Sequence, residues 1–521
     1  MANRIVLWLA FATQFIAIDA TAADRANKVA ANPDRSFHNP TGQIDLWINQ
    51  RLAADGETAG EQSSDAEFCR RVWLDLAGVA PPIWEVREFI SDKEPGKRSR
   101  LIERLLESPR FASHMATRYS LALLPQDAGL LASNDLESLT TWLREAFREN
   151  KPYDHFVGAF LTASGDEPGP TMFYTTRDAD PVKVASATSR LFLGIGIDCA
   201  QCHDHPFSKW TQDDFWTFAA FFSQLEIPEQ GMQQRNVVRD RVGKELTFPE
   251  SDRIAEPRYL GVEQPPEPDP TDFRRRQLTI WLASRSNPYF ATAAVNRVWA
   301  HLFGRGLVNP VDEIDSIDYA THPELLRYLS DYFISIRFDL KQLYRTIAKT
   351  DAYQRTSRST THRPAAESYA MMHTKTLSPE QYYDSLQQNV IRSGTSDIAQ
   401  GSQTIFMRQQ FAQRMRDSGA TPLEYSHGVV QALGMMNGPE MMSATAEQSS
   451  GLIAGVNAPF YDDTQRVEVI YLACVSRYPN DDEVKRCLAY LGDEAIEATR
   501  DEKFGDLIWV LANTAECFVC P

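Results

Sequence analysis

The segment Phe192-Leu-Gly-Ile-Gly-Ile-Asp-Cys-Ala-Gln-Cys-His-Asp-His-Pro-Phe207 lies between two helical patterns. Before it, residues 182–192 carry apolar positions at helical spacing, and Gly194 and Gly196 then favour release of the chain from the helix. After it, Thr211-Gln-Asp-Asp214 is typical of a capping box at the start of a helix. We therefore predict that the Cys-x-x-Cys-His motif lies at or just beyond a helix end, in a helical surrounding.

Helical patterns also recur on both sides of this segment, and Thr321-His-Pro-Glu324 and Ser378-Pro-Glu380 are further helix-start signals. A single core rarely organises more than ~250–300 residues, and this chain has 521. We predict a mainly α protein of two helical domains joined by a proline-rich segment, with minor β structure at 245–248 and 259–262. The predicted boundaries are 1–22 signal peptide, 23–40 linker, 41–225 first helical domain with the motif, 226–272 proline-rich junction and 273–521 second helical domain.

The amino-terminal residues have the pattern of a secretory signal peptide. Arg4 precedes the apolar run Ile5 to Ala12, and Ala20-Thr-Ala22 is a small-residue cleavage site. The apolar run is too short for a membrane span, and no later stretch reaches spanning length. We expect an exported protein of the periplasm or cell surface, without an integral membrane span.

Charge argues against one class of partner. The chain has 53 Lys and Arg residues against 70 Asp and Glu residues, a formal net charge of -17. Nucleic-acid binding needs clustered basic side chains, so we expect no nucleic-acid partner. The short basic run Arg274-Arg-Arg276 is interpreted as a solvated helix start. The sequence assigns no oligomeric state.

The motif Cys199-Ala-Gln-Cys202-His203 is the sequence signature of covalent haem attachment. Two thiols three residues apart can both add to haem vinyl groups, while the adjacent imidazole is held beneath the iron. We therefore expect haem c, with Cys199 and Cys202 as attachment points and His203 as the proximal iron ligand. Asp204 and His205 are candidates for hydrogen bonds that orient this ligand.

Two other chemistries use the same side chains. Cys199, Cys202, His203 and His205 could bind zinc, and Cys517 and Cys520 could complete that site if the carboxyl end folds back. A disulfide or redox dithiol is the other alternative. The remaining cysteines, Cys69, Cys474 and Cys487, occupy apolar helical positions and are interpreted as buried and unreactive.

The sequence does not identify the distal haem ligand. The candidates are His114, His155, His301, Met435, Met436, Met441 and Met442. Asp312, Glu313 and Asp315 form an acidic loop, which we interpret as solvated, with calcium binding or acid catalysis as alternatives. The sequence has no nucleophile elbow, phosphate loop or dinucleotide fingerprint, and therefore assigns no enzymatic reaction.

Longer stretches resemble a known pair of domains. In the first half these are Arg70-Arg-Val-Trp-Leu-Asp-Leu-Ala-Gly78 and the motif segment; in the second they are Val295-Asn-Arg-Val-Trp-Ala-His-Leu-Phe-Gly-Arg-Gly-Leu-Val308 and Thr321-His-Pro-Glu-Leu-Leu326. They resemble the planctomycete cytochrome-C-like domain of unknown function followed by the planctomycete-specific PSD domain, also of unknown function. The resemblance covers about 40–223 and 273–515.

The resemblance implies haem attachment at the motif, with Asp204 and His205 as matched neighbours of unknown role. Our leading hypothesis is an exported c-type haem protein in electron transfer or haem-dependent redox chemistry, with a redox partner protein. The first alternative is a non-enzymatic binding or scaffold protein in which the same residues hold a structural metal or a disulfide. Relatives with sugar-binding insertions motivate the second alternative, an enzyme of extracellular polysaccharide breakdown.

Overall fold

The computed structural model describes residues 37–125, 133–165, 169–228, 237–262, 272–285, 287–358, 364–391, 402–416 and 429–521. These ranges are mainly α-helical, with two antiparallel sheets of two short strands each, which confirms the predicted fold class. The predicted signal peptide and residues 23–36 of the predicted linker lie outside them. No helix in these ranges combines the length and apolarity that a membrane span requires.

The helices of the first half are α1 (Pro40–Asp55), α2 (Asp65–Ala77), α3 (Ile83–Ser91), α4 (Lys97–Glu107), α5 (Pro109–Leu123), α6 (Ser133–Arg148), α7 (Tyr153–Leu161), α8 (Met172–Thr175), α9 (Pro181–Thr188) and α10 (Gln212–Ala219). Those of the second half are α11 (Arg274–Leu282), α12 (Phe290–Phe303), α13 (Pro323–Ser335), α14 (Leu340–Ala348), α15 (Pro379–Leu386), α16 (Ser402–Met415), α17 (Val429–Asn437), α18 (Pro439–Thr445), α19 (Gly451–Val456), α20 (Asp463–Val475), α21 (Asp481–Gly492), α22 (Arg500–Ala512) and α23 (Ala515–Phe518). The strands are β1 (Leu225–Glu226), β2 (Arg239–Asp240), β3 (Lys375–Thr376) and β4 (Val519–Cys520).

Helix α2 shows how local sequence sets an element and its packing. The Ser64 side chain accepts a hydrogen bond from the backbone N–H of Glu67 and caps the helix start. Gly78 ends the helix with a φ of 72°, a conformation that strains any residue with a side chain. A Cβ at Gly78 would also lie 2.2 Å from Nδ1 of His114, so glycine permits the close contact with α5.

The described residues between 41 and 521 pack as one compact unit. The guanidinium of Arg71 in α2 donates to the backbone carbonyls of Tyr353 (2.7 Å) and Arg355 (2.9 Å). The carboxylate of Asp75, one turn later, accepts from the Tyr353 hydroxyl at 2.8 Å and from the Lys375 ammonium. Side chains on both sides of the predicted junction at 226–272 therefore share a buried polar core.

The proline-rich junction contains part of the β structure. One of the two predicted β stretches has a β-bridge, and the other has no strand. Strands β1 and β2 pair antiparallel, and Thr247 forms a single bridge with Ile254 inside the first predicted stretch. Residues 259–262 contain no strand, which corrects the second prediction. The Tyr259 ring stacks instead between aromatic rings, 4.9 Å from the centroids of both Phe221 and Trp281.

The basic run at the start of α11 is also different from the prediction. The helix begins at Arg274, as expected, but Arg275 is buried rather than solvated. Its guanidinium forms an ion pair with Asp240 (2.5 Å) and donates to the backbone carbonyls of Leu161 and Ala163. The basic run thus anchors the junction onto α7 and β2 through fixed carboxylate and carbonyl partners.

Both further helix-start signals are followed by helices, but the capping box predicted at Thr321 is wrong. Helix α15 begins after Ser378, as predicted, and Ser378 and Gln381 form a capping box there. Helix α13 has His322 at its cap position, and no side-chain cap bond is made there. The Thr321 hydroxyl donates to the backbone carbonyl of Leu307 (3.3 Å), so a tertiary contact has replaced the predicted cap.

The chain reaches the motif as the sequence predicts. Asp180 caps α9, and the helix continues as a π-turn, Ser189–Leu193, up to Gly194. Gly194 has a φ of 66°, and a Cβ there would lie 2.8 Å from Cδ1 of Ile314. The glycine thus ends the helix and packs the approach to the motif against the acidic loop after α12.

Candidate functional site

The Cys-x-x-Cys-His motif forms an exposed turn. Asp198–Gln201 is a short 3-10 helix, in which Ala200 is buried, and both Cys199 and Cys202 are exposed free thiols. Residues three apart in 3-10 geometry lie on the same side of the turn. Cys202 follows the helix with backbone angles still in the helical region, so both thiols lie on the solvent side.

Helix α10 holds this turn by its backbone carbonyls. Nε2 of Gln212 donates to the carbonyls of Cys202 (3.0 Å) and Gln201 (3.3 Å), and Nε1 of Trp216 donates to the Gln201 carbonyl (3.0 Å). The helix itself starts with the predicted capping box of Thr211 and Asp214, which is confirmed. The turn is therefore fixed through its main chain while its thiols stay unengaged.

His203 and His205 have different roles in hydrogen bonding. Nδ1 of His203 lies 2.8 Å from the backbone carbonyl of Asp204, and because a carbonyl only accepts, Nδ1 carries the proton. In the neutral ring Nε2 then has a free lone pair. Nδ1 of His205 accepts from the backbone N–H of Phe207 (3.2 Å), so its proton is on Nε2 when the ring is neutral. This arrangement suits His203, and not His205, as a metal ligand.

Asp204 joins the motif to the start of α10. One carboxylate oxygen accepts from the backbone N–H of Gln212 (2.9 Å), in the first turn of the helix, where the helix dipole favours negative charge. Its backbone carbonyl accepts a hydrogen bond from the Nδ1–H of His203. Asp204 therefore orients the imidazole through its main chain and is itself held by its side chain.

The loop after the motif is closed and carries an exposed aromatic ring. The backbone N–H of His205 donates to the Trp210 carbonyl (2.8 Å), and the buried Trp210 indole donates to the Asp315 carboxylate (2.9 Å). Phe207, inside this loop, is 93% exposed.

The acidic loop is engaged with neighbouring side chains. Asp315 accepts from Trp210, and Asp312 forms an ion pair with Arg297 of α12. The interpretation of a simply solvated loop is therefore corrected for two of its carboxylates: Asp312 is bonded to α12, and Asp315 is bonded to the loop after the motif.

The carboxyl-terminal cysteines lie in a different environment from the motif. Cys517 and Cys520 are buried, and the Cys520 thiol lies 3.6 Å from an Asp75 carboxylate oxygen. Burial and the Asp75 charge raise the pKa of Cys520 to about 12. Cys69, Cys474 and Cys487 are buried as predicted. Across the described ranges, no three His, Cys, Asp or Glu side chains converge as a metal site.

The predicted distal-ligand candidates are dispersed. The rings of His114 and His301 lie together in the interior, with centroids 5.6 Å apart, and Nδ1 of His301 bonds to the Tyr344 hydroxyl at 2.8 Å. Burial lowers the pKa of both histidines well below the ordinary value. The others divide by exposure: Met435 and Met441 belong to the core of the last helices, Met436 is half-buried, and His155 and Met442 are exposed.

Sequence reasoning missed three residues that shape this site: Phe207, Gln212 and Trp216. The capping box at Thr211 marked the helix start and could have pointed to Gln212 as the first helical residue facing the motif. The exposure of Phe207 had no local signal, because a phenylalanine is ordinarily expected in a core.

The fold and site together define a class: a helical protein with a solvent-facing Cys-x-x-Cys-His turn supported by the helix that follows. The chain belongs to the proteins that combine two domains of unknown function. Residues 43–227 match PSCyt2, protein of unknown function (DUF1549), and residues 274–426 match PSD1, protein of unknown function (DUF1553). These matches confirm the resemblance seen in the sequence. No curated protein and no solved structure matches the chain.

Proposed function

We propose that this chain is an exported c-type haem protein that acts in electron transfer or a haem-dependent redox step. The observation that supports it most is the state of His203. Its Nδ1 proton is bonded to a backbone carbonyl, which puts the lone pair of the neutral ring on Nε2, beside two exposed free thiols. Ligating histidines commonly donate their second ring N–H in this way.

The residues of the site fit a covalently held haem. Cys199 and Cys202 would be the thioether attachment points, and His203 would supply the proximal ligand through Nε2. Haem c, when bound, supplies a one-electron couple, or a reactive iron where the sixth position is open. Gln212 and Trp216 keep the turn in place during attachment, because their hydrogen bonds go to main-chain carbonyls and not to the thiols.

The exposure of the site suits a protein partner. Both thiols and His203 face solvent, so a group attached there would be reachable by a redox partner protein without opening the core. We place the protein in the periplasm or at the cell surface, since the thioether attachment and the predicted signal peptide both belong to an exporting, thiol-handling compartment. The sixth ligand decides between a carrier and an enzyme.

A second candidate function follows from the same thiols. Cys199 and Cys202 lie on one side of a short turn and are both exposed, which also suits a Cys199–Cys202 disulfide in a binding or scaffold protein. A zinc site at these residues has less support, since Nδ1 of His205 is engaged by the Phe207 N–H and the buried Cys517 and Cys520 lie against Arg70 and Asp75.

The test is to express the full chain with cytochrome c maturation machinery and to record intact mass and a pyridine haemochrome spectrum. We expect a mass increment of one haem, which Cys199→Ser/Cys202→Ser removes. Cys487→Ser, a buried cysteine in α21, is the matched control and should keep the haem. An unmodified mass in the wild type would refute the proposal. A loss of two hydrogens by mass, restored by reductant, would then favour the disulfide.

A further inference from the structure

Phe207 is the most exposed large apolar side chain in the part of the chain that the structure describes, at 93%. A phenylalanine ring gains free energy when it leaves water, so a fully solvated ring is unfavourable unless something covers it. Scattered exposed apolar residues are ordinary on protein surfaces. Two features distinguish Phe207 from an ordinary exposed apolar residue. They are the structure of its loop and its position in the chain beside the motif.

The loop from His205 to Trp210 is built to hold its shape. Its ends are joined by the bond from the His205 N–H to the Trp210 carbonyl (2.8 Å). The backbone N–H of Phe207 is fixed by Nδ1 of His205 at 3.2 Å. At the far end, Trp210 is buried and bonded to Asp315, and the Lys209 ammonium donates to the Tyr289 hydroxyl (3.1 Å). The backbone of Phe207 is therefore held in place and its ring is presented to solvent.

Phe207 is also close to the motif. It lies four positions after His203, a distance of at most ~14 Å along a fully extended chain. Cys199, Cys202, His203 and Phe207 are all exposed. Phe207 is thus an exposed ring that lies close along the chain to the attachment thiols and the proximal imidazole.

We infer that Phe207 packs against the haem attached at Cys199 and Cys202 and forms part of its apolar cover. This inference rests on the proposed function and adds a haem-binding residue that lies outside the motif. A porphyrin is a large, flat, apolar ring system, and aromatic rings pack on such surfaces in stacked or edge-on geometry. Asp204, Lys209 and Trp210 do not present an exposed, uncharged aromatic ring, because the first two are charged and Trp210 is buried.

The inference has a measurable consequence for the haem. An apolar ring over the macrocycle excludes water, and the lower polarity disfavours the more highly charged oxidised iron. Removing the ring should therefore lower the reduction potential of the attached haem. Phe207→Ala should decrease the equilibrium constant for reduction about threefold or more, which is ~28 mV at 59 mV per decade for one electron. Phe207→Leu should fall between Phe207→Ala and the wild type.

The experiment uses the full chain matured with its haem, with intact mass to count haem and potentiometric titration followed by absorbance. Phe460→Ala is the matched control, because Phe460 is 73% exposed and precedes α20. It should leave the potential unchanged. Both phenylalanines are solvent-facing, so both variants should fold.

Different results would overturn the contact of Phe207 with the haem and the proposed function itself. Haem present in Phe207→Ala at a wild-type potential overturns the inference and leaves the proposed function standing. That result is also the one expected if Phe207 contacts only a partner protein. Equal shifts in Phe207→Ala and Phe460→Ala overturn it as well. A wild-type chain without haem overturns both.

Discussion

Replacing Asp75 by alanine should strongly destabilise the protein. Asp75 is 2% exposed, and its carboxylate accepts from the Tyr353 hydroxyl at 2.8 Å and from the Lys375 ammonium. Lys375 also donates to the carbonyls of His301 (3.0 Å) and Leu302 (2.9 Å), at the end of α12. Without Asp75, a largely buried ammonium group loses its counter-charge and a buried hydroxyl loses its acceptor.

The magnitude follows from these partners. Breaking a buried ion pair by removing one member costs about 3–5 kcal/mol, and this range already contains the stranded lysine. The stranded Tyr353 hydroxyl adds about 1–3 kcal/mol. Because folded domains are stable by only about 5–15 kcal/mol, Asp75→Ala should remove at least about a quarter of the unfolding free energy. Asp75→Ala/Lys375→Met should recover part of the loss, since it removes the unpaired charge.

The assay is urea unfolding followed by circular dichroism. The matched control is Asp178→Ala, which breaks an ion pair with Lys183 in which both side chains are exposed. That variant should lose less than about 1 kcal/mol, as exposed pairs do. An Asp75→Ala variant within 1 kcal/mol of the wild type, or no recovery in the double variant, would refute the view that this pair joins the two halves.

Three further outcomes are expected. First, burial lowers the pKa of His322 to about 4, against 6.5 for an unperturbed histidine, so the unfolded chain binds a proton in this window that the folded chain does not. Stability should fall by up to about 3 kcal/mol from pH 6.5 to pH 4 on this account, and His322→Gln should flatten the urea-midpoint profile; parallel profiles would contradict it. Second, in reduced protein without haem, Cys199 and Cys202 should react with Ellman's reagent at once and the five buried thiols only after unfolding, whereas more than two fast thiols would be inconsistent with this burial. Third, Thr211→Ala should lower the unfolding free energy by about 1 kcal/mol and Thr211→Ser should not, and equal stability of both variants would argue against the capping box.

Much of the helical architecture could be predicted because the local spacing of apolar residues indicates each helix. Phe215, Phe218 and Phe222 recur at helical spacing, which indicates a core face, and all three side chains are fully buried. Helix starts with a local partner, such as Thr211, were equally predictable. The cap at Thr321 failed because its hydroxyl found the Leu307 carbonyl, fourteen residues away. A local rule holds only where no tertiary partner competes for the same group.

The polar core lay beyond sequence reasoning. Asp75 and Lys375 are separated by 300 residues, and nothing in the spacing of either one indicates the other. Arg275 reads as part of a solvated basic run, yet it is buried with Asp240. A long charged side chain can be buried when a carboxylate distant in sequence pairs with it. The sequence shows that the side chain is charged but does not show which partner it has.

At the motif, the residue types predict haem attachment, which stays a prediction, and the structure shows how the turn that carries them is held. Cys199, Cys202 and His203 are recognisable because haem attachment needs those atoms at that spacing. Gln212 and Trp216 are not, since the carbonyls they bind are present in any sequence. A sequence motif therefore does not identify Gln212 and Trp216, because they hold the turn through its main-chain carbonyls.

The contrast between the two kinds of cysteine bears on what the turn is for. Cys69, Cys474, Cys487, Cys517 and Cys520 are enclosed, and burial raises the pKa of each one, which keeps the thiols protonated and inert. Cys199 and Cys202 are instead carried on a main chain whose carbonyls are already bonded, with both sulfurs in solvent. A turn of this kind has its backbone stabilised before any group is added. Under the proposed function, such a turn would accept a covalently attached group at its two thiols while the bonds to its carbonyls stay in place.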